Sequence, residues 1–310
     1  MLITPRDRQI IVNYHYVEDP RPDFSGIFPC PVKEFERQVA LLSKNFKITT
    51  LRGVFEACRA SAPEKVVAIT FDDGLCDQYE NAFPILKKYG VTASFFIITS
   101  TFDGIVPSAH KIHLLLSKIS PDELVSMFNS FIAREYPGTA EQYFIPTDRR
   151  ISKRRHHEGI AVANFKETLS AIPVDIKNKY IAYVFSSQGI DEAKLCKELF
   201  MDQSRIASLQ AQGFEIGNHT DAHDALSAMS TEQIQYDLRQ SQEKLKTVIG
   251  EFPASFSYPF GLTSSASRAV LAEEKFECAV TIEARSLVSS DDRLLLPRFD
   301  TNDLRNGAVI

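Results

Sequence analysis

Residues 65–74 read KVVAITFDDG. The stretch 65–71 is nearly all apolar and rich in β-branched residues. Such a run is a strand buried on both faces, as in a parallel sheet. Asp72, Asp73 and Gly74 follow it at once, and strand ends are where parallel α/β folds place their chemistry. Working outward, the apolar runs 10–17, 91–98, 214–219, 254–258 and 277–282 read as further strands. Helical periodicity lies between them at 33–45, 77–89, 231–248 and 264–274. Gly90 and Gly250 stand where helices stop, and Ser230 where one starts. Strand–helix alternation with apolar strands implies an α/β fold with a parallel sheet covered by helices; an open doubly wound sheet and a barrel both fit.

The stretch 104–212 breaks that rhythm. It shows helical segments and no convincing strand, and reads as a helical insertion between two sheet strands. Its basic run (Arg149, Arg150, Lys153, Arg154, Arg155, followed by His156 and His157) reads as a solvated loop, with binding of an anionic group as the alternative.

The chain has 310 residues, 35 Lys plus Arg against 40 Asp plus Glu, and a formal net charge of −5. That balance argues against a nucleic-acid binder working by bulk charge. No apolar run approaches the roughly 20 residues of a membrane-spanning helix. The first residues lack the pattern of a signal peptide. Cys30, Cys58, Cys76, Cys196 and Cys278 are scattered, with no C-x-x-C pair, and read as reduced buried thiols. These features together favour the cytoplasm. Oligomeric state is silent in the sequence.

Three short segments bear on chemistry. Adjacent carboxylates such as Asp72 and Asp73 repel unless something neutralises one of them, as a metal ion would; the alternative is an Asp-Gly turn capping a helix. Second, residues 217–223 read GNHTDAH, so His219 and His223 stand at i and i+4 after a strand, on one face if the segment is helical. That is a spacing at which two imidazoles ligate zinc. Asp73, His219 and His223 would supply one oxygen and two nitrogens to a divalent metal, most simply Zn2+, leaving Asp72 as general base. Third, SYPFG at 257–261 runs a strand into a Pro/Gly turn whose backbone N–H groups could line an oxyanion site. His110 and His113 read as surface or packing residues.

In that order, TFDDG, HTDAH and SYPFG resemble the polysaccharide deacetylases of the NodB-homology type, carbohydrate esterase family four. The likeness covers roughly 1–104 and 205–300 and leaves out the insertion. It implies an irregular (β/α) barrel, a single domain over 1–310 with the insertion at 104–212. It also implies metal-dependent removal of an N-acetyl group from an amino sugar. On this likeness Asp72 is the base, Asp73, His219 and His223 hold the metal, and the Phe260 N–H is the oxyanion donor, with Tyr258 beside it. Two positions depart from the family pattern. Ser257 stands where an arginine usually orients the catalytic Asp, and Arg298 is the expected replacement, pairing with Asp72. No His follows His223, whereas the family has a late general-acid His. Some circularly permuted exopolysaccharide deacetylases carry that His near the N-terminus, and His15 in NYHY (13–16) resembles it. Strand alternation would put Asn13 and His15 on one face and Tyr14 and Tyr16 on the other. Tyr14, Tyr16, Tyr258 and Phe260 suit sugar stacking.

The expected activity is hydrolysis of an N-acyl group, acetyl or formyl, from an amino sugar or glycan precursor, with no nucleic acid as partner. The alternatives are a non-sugar amide or imide hydrolase on the same scaffold and a non-catalytic glycan-binding protein.

Overall fold

A computed structural model describes residues 7–24, 26–152 and 158–305. Of the basic run, Arg149 and Arg150 fall inside that range and are exposed, while Lys153, Arg154, Arg155, His156 and His157 lie outside the described residues. Residues 1–6, on which the leader-peptide expectation partly rests, also lie outside them.

The chain opens with β1 (Gln9–Tyr14), α1 (Val32–Asn45), β2 (Lys47–Ile48), α2 (Leu51–Arg59), β3 (Val66–Phe71), α3 (Phe83–Tyr89) and β4 (Ser94–Ile97). Then come α4 (Ser108–Lys118), α5 (Pro121–Glu135), α6 (Ala140–Tyr143), α7 (Ile160–Ala171), α8 (Val174–Ser186), α9 (Glu192–Leu199) and α10 (Gln203–Ala211). No strand interrupts these helices among the described residues. β5 (Glu215–Asn218), α11 (Thr231–Ile249), β6 (Ser255–Ser257), α12 (Ser265–Glu273), β7 (Cys278–Val280), β8 (Phe299–Asp300) and α13 (Thr301–Arg305) complete it.

The pairings are all parallel, in the order β7-β6-β5-β4-β3-β1-β8, with β2 added to the N-terminal end of β3. The sheet curls into a half-barrel ringed by helices. Its two ends are joined by one segment: Leu296 bridges to Val280 of β7, and Phe299–Asp300 pairs with β1. Alternate side chains divide the core. Val67, Ile69 and Phe71 face out against α1 and α3, while Val66 and Ala68 face in with Ile11, Phe96, Val280 and Leu296 over α2. Side-chain alternation in a strand produces that division.

The strands are shorter than their apolar runs. β1 stops at Tyr14 rather than continuing to 17, because the next carbonyl, His15 O, accepts from Gln78 Nε2 instead of a neighbouring strand. The same amide donates to Asp72 O, so Gln78 ties together the ends of β1 and β3. The helix expected over 77–89 contains a π turn at Gln78–Ala82 and ends at Gly90 in the left-handed conformation. α11 has the expected cap: Ser230 and Gln233 form a reciprocal capping box, and Gly250 closes the other end.

Candidate active site

Asp72 and Asp73 leave β3 at its C-terminal end, the end of the sheet where His219 leaves β5. Asp73 (φ 78°) and Gly74 (φ 72°) both take left-handed backbone. For the aspartate this conformation carries a cost of about 1–3 kcal/mol, a strain that collects at functional sites. The two carboxylates meet different sets of partners.

Asp72 is buried and gripped. Arg298 donates to its Oδ1 from one terminal nitrogen at 2.9 Å and to Oδ2 from the other at 2.8 Å, and Asn13 Nδ2 donates to Oδ2 at 3.1 Å. Arg298 is itself 1% exposed. Its guanidinium also donates to Thr281 O, Ser257 Oγ, Asn13 Oδ1 and Thr70 Oγ1. Ser257 thus stands beside the guanidinium, which reaches the carboxylate from the closing segment of the sheet. Burial alone would raise the Asp72 carboxyl, but the Arg298 charge, then His219, outweigh it and hold the group well below the usual carboxylate range. It is ionised at any working pH.

Asp73, His219 and His223 converge, with their ligand atoms within 4.8 Å of one another. Asp73 Oδ1 lies 3.4 Å from His219 Nε2 and 3.5 Å from His223 Nε2. Among the described residues that oxygen has no hydrogen-bond partner, although it is buried. His219 Nδ1 lies 2.7 Å from Ser257 O, a carbonyl that can only accept. One proton therefore sits on Nδ1, leaving Nε2 as the atom turned toward Asp73; burial alone would lower this ring's pKa, but the neighbouring Asp72 and Asp73 raise it. A buried orphan carboxylate oxygen facing two imidazole nitrogens is a donor set that fits a divalent ion.

The segment carrying the two histidines is a loop, which corrects the helical reading of the i, i+4 spacing. Thr220 (φ 68°) and His223 (φ 57°) are left-handed. Asn218 Oδ1 accepts from Thr220 N, Thr220 Oγ1 accepts from His223 N, and Asp237 of α11 accepts from the backbone of Asp221 and Ala222. These bonds bring the two imidazole centroids to 4.7 Å without a helix. Burial pushes His223 well below the usual imidazole range, helped by the adjacent His219.

His15 lies past the end of β1, so strand alternation does not place it. Its side chain is 43% exposed, and Nε2 lies 3.9 Å from Asp72 Oδ2. Phe260 (φ 58°) sits in the Pro259–Gly261 turn, its ring 4.8 Å from that of His223. Two aromatic expectations need correction. Tyr258 stacks edge-on with Phe256 in the layer under α11 and α12, and its N–H donates to Val280 O. Tyr14 packs on Phe35 and Phe71 outside the sheet and donates to Gln38. Both point away from the carboxylates, since β1 and β6 turn alternate residues inward. Tyr16 packs near His110 and His113.

His110 is the residue the sequence reading missed. It lies on α4, is buried, and places Nε2 3.2 Å from Asp73 Oδ2. A polar member in the buried stripe His110, Leu114, Leu115 is the signal that could have flagged it. A small cleft of about 40 Å³ opens between Phe260 and α4, α7 and α8, with Ile112, Lys166, Leu169 and Lys177 on its walls.

Residues 59–130 and 172–279, more than half of the chain, match the polysaccharide deacetylase family model. The chain belongs to that family. Curated relatives include poly-beta-1,6-N-acetyl-D-glucosamine N-deacetylases of Staphylococcus epidermidis (31% identical over 132 residues, 38% of this chain) and Staphylococcus aureus (27% over 169 residues, 53% of this chain). The chain spans only 45% and 56% of those relatives' length. Among solved structures, the deacetylase PplD of Streptococcus pyogenes in complex with acetate superposes with a TM-score of 0.62 at 15% identity, covering 99% of this chain and 100% of that one. IcaB from Ammonifex degensii gives 0.60 at 16%, covering 100% of both. At these identities the likeness establishes the deacetylase fold.

Proposed function

We propose that this protein hydrolyses an N-acetyl group from a glucosamine-containing glycan at the Asp72/Asp73 site. The observation that supports it most is the division of labour between neighbouring carboxylates. Asp73 turns an unpartnered oxygen toward two imidazoles, while Asp72 is held ionised by Arg298. A binding module has no use for that second carboxylate. The relatives named for poly-N-acetylglucosamine supply the substrate class.

Asp73, His219 and His223 would hold the ion, zinc being the simplest choice for one oxygen and two nitrogens. Once bound, such an ion supplies Lewis acidity to the acyl oxygen and makes water a better proton donor. Asp72 takes the proton from the attacking water, its orientation fixed by Arg298 and Asn13. The Phe260 N–H faces the negative charge developing on the acyl oxygen. His15, exposed at the rim, delivers a proton to the departing sugar nitrogen as the C–N bond breaks. Formyl in place of acetyl fits the same chemistry.

The test is acetate release from a β-1,6-linked N-acetylglucosamine oligomer, with Asp72→Asn as control. Release by the wild type alone supports the reading. Equal release by both proteins, or none by either when metal is bound, ends it. We also propose a cytoplasmic location, on the buried thiols of Cys58, Cys76, Cys196 and Cys278. Recovery in a membrane or secreted fraction would contradict that placement.

A further inference from the structure

Asp73 has two oxygens with different surroundings. Oδ1 faces His219 and His223, whereas Oδ2 faces α4, where His110 Nε2 stands 3.2 Å away. The imidazole of His110 is held in place by rings on several sides. Phe200 packs nearly edge-on at 4.8 Å, His113 at 5.8 Å and Tyr16 at 6.1 Å. A ring so enclosed has little rotational freedom, so its Nε2, which has no hydrogen-bond partner among the described residues, stays beside Oδ2.

The same stretch of chain braces the turn from a second direction. Met201 N donates to Gly74 O at 2.9 Å, and Leu75 forms a bridge with Phe200. On the other ligand-bearing loop, Lys177 of α8 makes a buried ion pair with Asp224, next to His223. The strained backbone of Asp73 needs this support, since a left-handed aspartate persists only where its surroundings over-determine it.

We propose that His110 is a positioning residue for the candidate metal centre: its Nε2, buried without a hydrogen-bond partner among the described residues and 3.2 Å from Asp73 Oδ2, turns its donor onto that oxygen when the ion is held, so that Oδ1 stays aimed at His219 and His223. The proposal rests on the metal reading of that site. It makes the helical segment between β4 and β5 part of the ion-holding structure. Partners that orient a ligand in this way are typically worth about 10–100-fold in metal affinity.

The test compares zinc affinity, by competition with a chromophoric chelator, in the full-length wild type, His110→Leu and His110→Gln. Leucine fills much of the space without a donor, whereas the glutamine amide can occupy the place of Nε2. The expected result is zinc binding at least about tenfold weaker in His110→Leu and within about threefold of wild type in His110→Gln. Thermal midpoints of the zinc-free proteins report packing separately. If His110→Leu does not fold, His110→Asn, too short to reach Oδ2, takes its place. Wild-type affinity in the donor-less variant with a lowered zinc-free midpoint would make His110 a packing residue and overturn the proposal. Glutamine as weak as leucine would also overturn it, because the nitrogen would then act on the ion itself. A wild type that binds no zinc would instead defeat the metal reading on which the proposal stands.

Discussion

Arg298 holds Asp72 by both carboxylate oxygens, at 2.9 and 2.8 Å, from 226 residues further along the chain. Lysine keeps the charge but cannot reproduce the fork. Arg298→Lys is expected to lower turnover at least about tenfold. The lysine charge still keeps Asp72 ionised across the working pH range, so the loss is read in turnover at fixed pH, with zinc content unchanged. Arg298→Ala leaves a buried carboxylate unpaired, a loss of about 3–5 kcal/mol in denaturant unfolding. Wild-type turnover in the lysine variant would mean that the two-pronged grip of Arg298 does not orient Asp72.

Asp72→Asn tests the base separately from the ion. The amide cannot take a proton, so turnover should fall about 10²–10⁴-fold. Zinc content, measured by elemental mass spectrometry, should stay at wild-type level, because Asp73 and the two imidazoles are untouched. Loss of zinc together with activity would move Asp72 into the ligand set.

His15 is the least enclosed of the proposed participants, so its replacement should not disturb folding. His15→Ala should keep its zinc and its thermal midpoint and lose about 10²-fold or more in turnover. Near-full turnover would remove it as the general acid.

Asp77 offers a stability prediction away from the ion. Burial raises its carboxyl to about 7, although Val17 N donates to it at 2.6 Å. Its folded pKa lies above the unfolded value of about 4, so the folded state binds the extra proton between those limits. Stability from this group is present below about pH 4 and is lost as pH rises toward 7. Asp77→Asn should therefore gain on the wild type from pH 5 to pH 8, by at most about 3 kcal/mol. Chemical denaturation at the two pH values measures it, and a difference independent of pH would rule the titration out.

The carboxylate turn and the two histidines are legible in the sequence because each follows an apolar strand, and strand ends in a parallel sheet converge. Arg298 is legible because Ser257 leaves the place of a guanidinium unfilled. The rest depends on contacts that local patterns do not encode. The i, i+4 histidines suggest a helix, yet side-chain bonds from Asn218, Thr220 and Asp237 build a loop instead. Tyr258 looks like a substrate contact until β6 sets Ser257 inward and Tyr258 outward. His110 escapes notice because its partner, Asp73, stands 37 positions earlier, on the far side of two elements.

The central claim is that one ion held by Asp73, His219 and His223 supports amide hydrolysis beside Asp72. The most direct measurement is acetate release from a β-1,6-linked N-acetylglucosamine oligomer by chelator-stripped protein as zinc is added back. The account predicts no release from the stripped protein, and a rise that ends near one equivalent of zinc. Release that persists without metal, or that stays absent at full zinc occupancy, would contradict it.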